Sequence, residues 1–133
     1  MDYGAKELDV VVNYGQFLDG RHEALRDIAG IVKAARPRNV LVKAILETCY
    51  YTPDQIHEAC RLCVKCGVDF VKTSTGFGPS GATPEAVKIM LAAVDGEAQV
   101  KASGGIKTYA DAARYLDLGC TRLGSSRCQE LLP

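Results

Sequence analysis

The 133-residue sequence carries no net charge, 16 lysines and arginines standing against 16 aspartates and glutamates. That balance argues against bulk electrostatic attraction to nucleic acid or to an anionic membrane surface. No apolar run approaches the ~20 residues that span a bilayer, and no basic-then-apolar leader opens the chain. No linker, low-complexity segment or simple repeat interrupts it. The chain therefore reads as cytoplasmic, with no nucleic-acid or membrane partner. At 47% apolar and 24% charged residues it has the composition of an ordinary globular protein. Its length suffices for one modest domain with a real core.

A disulfide framework is lacking as well, although there are six cysteines. Cys60, Cys63 and Cys66 fall within one helical pattern, and adjacent turns of one helix cannot staple distant parts of a fold. Their C-x2-C-x2-C spacing resembles part of an iron–sulfur motif. A cluster, however, needs a wrapping loop and a fourth ligand, and no Cys-Pro follows. The three read as small buried hydrophobes on a helix face. Cys49, Cys120 and Cys128 read as free thiols. No metal site is expected.

What is present is a strict alternation of strand and helix. Met1 to Glu7 has the look of a helix end and turn, and Leu8 to Asn13 reads as a strand rich in β-branched residues. A helix is predicted from about Gly20 to Ala35, with Leu25, Ile28, Ile31 and Val32 at helical spacing, stopped by Pro37. Val40 to Glu47 is the second strand. Thr52 and Pro53 open the next helix, which Gly67 ends. Asp69 to Ser74 is the third strand, followed by a helix from Pro84 to Val94 with Thr83 as its cap. Ala98 to Ser103 is the fourth strand, Thr108 to Leu118 the next helix, and Cys120 to Gly124 a short fifth strand. Ser125 and Ser126 are expected to start a last helical turn. Such an order predicts right-handed βαβ units and a parallel sheet.

The strands carry charge where structural strands of a parallel sheet are apolar. Period-2 alternation puts Asp9 with Asn13, Lys43 with Glu47, Lys72 with Ser74, and Lys101 with Ser103 on one strand face each. Val10, Val12, Val42, Ala44, Val71 and Val100 are left for the other. Each charged residue has a plain structural reading. Asp9 and Lys101 could form an ion pair, and Lys43 could carry its head to the mouth of a barrel. Three lysines and an aspartate on four strands nevertheless make a costly core. Burial and mutual repulsion lower the pKa of an amine, and a neutral lysine is a nucleophile that forms Schiff bases with carbonyls. Lys72, in mid-strand before Thr73-Ser74-Thr75-Gly76, is the lead candidate. Ser103-Gly104-Gly105 and Gly124-Ser125-Ser126 follow the last two strands and offer backbone N–H groups to an anion, the second at a helix N-terminus.

Gly4 to Asn13, Val42 to Thr48, Asp69 to Phe77, Gly81 to Glu85, Val100 to Ile106 and Arg122 to Ser126 together resemble the 2-deoxyribose-5-phosphate aldolase family, class I Schiff-base aldolases of (β/α)8 fold. The resemblance implies that Lys72 forms the Schiff base and that Lys101 depresses its pKa. Asp9 is implied to shuttle protons with Lys101 and a water, and Lys43 to assist at the mouth. Gly104, Gly105, Gly124, Ser125 and Ser126 are implied to hold the substrate phosphate. The implied reaction is reversible cleavage of 2-deoxyribose 5-phosphate to acetaldehyde and glyceraldehyde 3-phosphate. It needs no metal or organic cofactor, because the iminium is the electron sink.

A complete (β/α)8 barrel has eight strands and about 200 residues or more. Five strand signals are present here, and the first match corresponds to the family's fourth strand. The expected fold is a partial barrel of five βα units, the family's fourth to eighth, in one domain over residues 1–133. An open sheet of barrel curvature is expected to expose an apolar interior and two edge strands. Self-association would cover them, as would a second chain supplying the missing strands or the rest of a longer product. Two competing functions are a Schiff-base aldolase for another phosphorylated aldehyde and a non-catalytic sugar-phosphate-binding or assembly subunit.

Overall fold

Local sequence signals set the starts of the three helices that open at Pro53, Pro84 and Tyr109 in the computed structural model, which describes residues 4–132. The Thr52 hydroxyl accepts from the Gln55 N–H while the Gln55 side chain accepts from the Thr52 N–H, a reciprocal capping box with Pro53 at the first helical position. Thr108 and Asp111 form a second such box. Thr83 accepts from Ala86 N–H ahead of Pro84. These caps stand where the sequence predicts them.

The order is β1 (Glu7–Val11), α1 (Tyr14–Leu18), α2 (Arg26–Ala35), β2 (Leu41–Ile45), α3 (Pro53–Lys65), β3 (Phe70–Lys72), α4 (Pro84–Val94), β4 (Gln99–Ser103), α5 (Tyr109–Leu118) and β5 (Arg122–Gly124). Short 3-10 turns occupy His22–Leu25, Arg36–Arg38, Thr48–Tyr50 and Cys128–Leu131. All neighbouring strands pair in parallel, in the spatial order β1-β2-β3-β4-β5.

Several boundaries differ from expectation for physical reasons. The helix predicted over 20–35 begins only at Arg26, because Gly20 turns the chain at φ 74° and a 3-10 turn intervenes. Asn13 leaves the strand and caps α1, its side chain accepting from Gln16 N–H. Glu47 leaves β2 in a left-handed conformation, φ 59°. Neither therefore belongs to a strand face. Ser125 and Ser126 start no helix; a single 3-10 turn begins at Cys128. Of the predicted opening turn, Met1 to Tyr3 lie outside the described residues.

The sheet is curled into part of a barrel. In a flat sheet, strands four intervals apart would lie about 19 Å from each other, too far for two side chains to meet. Yet Arg122 on β5 donates both guanidinium branches to Glu7 on β1, at 2.8 and 3.2 Å.

The apolar core lies between the convex face of this sheet and the helices. Val12, Val42, Ala44, Val71, Val100 and Ala102 meet Ile28, Val32, Ile56, Val87, Met90 and Tyr115 there. Cys60 and Cys63 are wholly buried in it, and burial pushes the Cys60 thiol up to about 12. They act as small hydrophobes, and among the described residues no group of three His, Cys, Asp or Glu could hold a metal. All six cysteines are free. The concave face is not the exposed apolar surface expected. Glu7, Asp9, Lys43, Lys72, Lys101 and Arg122 meet across it. Of the apolar residues on this face, Ile45 and Phe70 are buried, Leu41 is half-buried and Val11 is exposed, Phe70 lying beneath the Arg122 guanidinium. Among the described residues no helix is long and apolar enough to cross a membrane.

Candidate active site

Strand register builds the charged cluster. Asp9 on β1 stands opposite Lys43 on β2, and Lys72 on β3 opposite Lys101 on β4. Lys72 pairs with Ile45, so Lys43 lies two residues deeper than the Lys72–Lys101 level. One oxygen of Asp9, Oδ2, accepts from Lys72 Nζ at 2.7 Å and from Lys101 Nζ at 3.2 Å. The other, Oδ1, accepts from Lys43 Nζ at 2.8 Å. Lys43 also reaches Glu7 Oε2 at 2.6 Å. It is 3% exposed and does not extend to the mouth, because two carboxylates anchor its ammonium below.

Lys43, Lys72, Lys101 and Arg122 face two carboxylates, Glu7 and Asp9, in this cluster, so positive charge is in excess. Burial raises the Asp9 carboxyl, but bonds from Lys43, Lys72 and Lys101 outweigh it and hold the group well below the usual carboxylate range. Burial also opposes the charge on Lys43; its bonds to Asp9 and Glu7 win and keep it above an ordinary lysine. Lys101 goes the other way. Burial and then the Lys72 ammonium lower it by more than Asp9 restores. Arg122 and Lys43 pull Glu7 down to about 2.

Lys72 lines an open pocket of about 420 Å³ at the C-terminal ends of the strands, as do Gly104, Gly105, Gly124, Ser125 and Ser126. Gly104 and Gly105 take φ of 84° and 80°, a region that favours glycine. A methyl at Gly81 would fall 2.2 Å from the Gly104 carbonyl oxygen, so the loops after β3 and β4 touch through bare backbone. Ser125 donates its hydroxyl to the Ile106 carbonyl at 2.7 Å and ties the loops after β4 and β5 together.

Other members of the site escaped the sequence reading. Lys107, Thr75 and Phe77 also line the pocket. Lys107 follows Gly105 by two residues, and its charge at the end of a glycine-rich loop was the available signal. Glu47 is buried, and its carboxylate accepts from both the N–H and the hydroxyl of Thr75, holding the loop that follows Lys72. Glu7 and Arg122 sit two residues before Asp9 and Gly124, on the same strand faces, but their pairing depends on the curl of the sheet. The whole arrangement offers an amine at a pocket wall and a carboxylate that bridges it to a second amine. Those are the parts needed for imine formation with proton transfer.

Comparison with known proteins gives this geometry a family. Residues 1–121 match the model of the DeoC/LacD family aldolases. The deoxyribose-phosphate aldolase of Carboxydothermus hydrogenoformans is 50% identical over 129 residues, 95% of this chain and 57% of that protein. That of Thermococcus kodakarensis is 47% identical over 127 residues, 95% of this chain and 57% of that protein. A tetrameric deoxyribose phosphate aldolase structure from Aeropyrum pernix superposes with a TM-score of 0.87 at 32% identity, covering 98% of this chain and 55% of that one. The chain thus spans somewhat over half the length of these relatives. Sequence match, parallel half-barrel and superposition agree: the chain belongs to the DeoC/LacD family of aldolases.

Proposed function

We propose that the chain carries the chemistry of a deoxyribose-phosphate aldolase, the reversible cleavage of 2-deoxy-D-ribose 5-phosphate to acetaldehyde and D-glyceraldehyde 3-phosphate. The observation that carries this reading is the Asp9 carboxylate shared between Lys72 and Lys101 beside the pocket. Lys72 is the nucleophile, because among these groups it alone lines the pocket. Its amine adds to the aldehyde carbon C1 of the open-chain sugar, and water leaves to give a protonated imine. A base takes the proton of the C3 hydroxyl, the C2–C3 bond breaks, and its electron pair passes into the imine to give an enamine. Glyceraldehyde 3-phosphate departs. Protonation at C2 and attack of water then release acetaldehyde and restore the Lys72 amine. Asp9 and Lys101 carry these protons as a coupled pair. Lys43 holds Asp9 from below. Gly104, Gly105, Gly124, Ser125 and Ser126 frame the phosphate, with Lys107 supplying charge.

The protonated imine is the electron sink, so the reading calls for no cofactor. The six free thiols fit a reducing compartment, and we read the enzyme as cytoplasmic. The apolar strip of Leu8, Val10, Ile31 and Ala34 at the free edge of β1 supports covering by a second copy or by a partner chain. Acetaldehyde with borohydride tests the chemistry. Reduction of the imine should leave an ethyl group on Lys72, absent in Lys72→Ala. Aldol turnover retained by Lys72→Ala would sink the assignment.

A further inference from the structure

The Glu7–Arg122 pair lies outside the roles given above, yet it is joined to them by an unbroken series of contacts. Arg122 on β5 grips both oxygens of Glu7 on β1, at 2.8 and 3.2 Å. Glu7 Oε2 also holds Lys43 on β2 at 2.6 Å. Lys43 holds Asp9 Oδ1 at 2.8 Å, and Asp9 Oδ2 holds Lys72 on β3 and Lys101 on β4. Every strand thus contributes, and the contacts bridge from the first edge strand to the last. Glu47, the remaining acid at the end of β2, is turned to Thr75.

We propose that Glu7 and Arg122 are positioning residues, a charge-balanced strut across the concave face that sets the protonation balance of the lysine amines through Lys43 and Asp9. The consequence for catalysis rests on the aldolase reading; the electrostatic role does not. The strut acts in two ways. As an anion, Glu7 takes part of the Lys43 ammonium, so that Asp9 keeps one oxygen for Lys72 and Lys101. As a cation, Arg122 cancels the rest of the Glu7 charge. Without Arg122 the surplus anion would hold protons on the amines. Without Glu7 the bare guanidinium, opposite Lys101 in the strand register, would drive protons off. The cation is supported at its other face by the Phe70 ring, 5.4 Å from the guanidinium carbon.

Removal of the two partners therefore has opposite effects, which mere structural damage does not produce. The test is a pH titration of the Lys43 and Lys101 side chains by NMR on the full lysine-labelled chain. Glu7→Gln should lower both midpoints, that of Lys43 by about one unit because it touches Glu7 directly and that of Lys101 by less, and Arg122→Gln should raise both. The double variant should return close to wild type. Arg122→Lys, which keeps the charge and loses the fork, should also stay close to wild type. Shifts in the same direction, no shifts, or a shift in Arg122→Lys matching that of Arg122→Gln would overturn the proposal. The pH profile of borohydride trapping at Lys72 should move with the amine midpoints. If wild type traps no acetaldehyde, the aldolase reading fails while the titrations still decide the strut.

Discussion

Asp9→Asn removes the acceptor shared by Lys43, Lys72 and Lys101, and it separates two halves of the proposed chemistry. Lys72 Nζ lies 2.7 Å from the carboxylate and Lys101 Nζ 3.2 Å. Even at the dielectric constant of water those separations correspond to about 1.5 and about 1.3 kcal/mol of attraction between amine and carboxylate. The Asp9 side chain is 31% exposed, so the water limit is a floor and the dry-interior value does not apply. The sign follows from the charge. A carboxylate favours the protonated amine, so its removal makes the amines release protons at lower pH. Imine formation should survive, with the half-maximal rate of borohydride trapping moved to lower pH. Turnover should not survive, because the carboxylate that relays protons is gone; a fall of about 10²- to 10⁴-fold is expected. Breaking a buried pair costs about 3–5 kcal/mol, and partial exposure reduces this to about 2 kcal/mol, readable by urea unfolding. Trapping followed by peptide mapping across pH 5–10, beside a coupled aldol assay, decides the matter. A trapping profile that stays put or moves up, or turnover at the wild-type rate, would refute the reasoning.

Two further outcomes follow from the same structure. Gly81→Ala would push a methyl against the Gly104 carbonyl, so KM for the phosphorylated sugar should rise about tenfold, a loss of about 1.4 kcal/mol, while trapping of acetaldehyde at Lys72 stays near wild type; an unchanged KM speaks against the loop contact. Glu7 is held at about 2 against an ordinary 4.5, and Asp9 is also depressed, so their stabilisation is complete above the ordinary carboxylate range and is lost as pH falls through it toward 2. The thermal midpoint, followed by circular dichroism, should drop across that window and drop less in Glu7→Gln; equal curves for the two proteins would count against it.

The alternation of strands and helices was legible because each element has its own local signals. β-branched runs marked the strands, and Thr52, Thr83 and Thr108 marked helix starts that the structure keeps. The conjunction of Asp9, Lys72 and Lys101 was legible from period-2 spacing plus the cost of burying charge. Asn13 and Glu47 were misplaced, since spacing cannot show where a strand stops and a side chain turns to cap a helix or hold a loop. The depth of Lys43 depends on register between β2 and β3, which no single strand encodes. Glu7 and Arg122 are 115 residues apart in sequence and meet because the sheet curls, a property of the whole barrel segment. The same curl explains why the concave face was misread: it brings Glu7 and Arg122 to Asp9 and the three lysines, so that six charged side chains meet across it.

The contact between Gly81 and Gly104 bears on how such a protein can be re-engineered. Two loops from different βα units are fused there into one rigid wall, and neither position has room for a side chain. Sequence variation introduced at that wall would have to move both loops at once. Phe77 lines the same pocket and is 98% exposed, so its ring is held by almost nothing. A library meant to broaden the range of accepted aldehydes has its tolerant position there, at the tip of the loop, and its forbidden ones at Gly81 on the same loop and at Gly104 on the facing one.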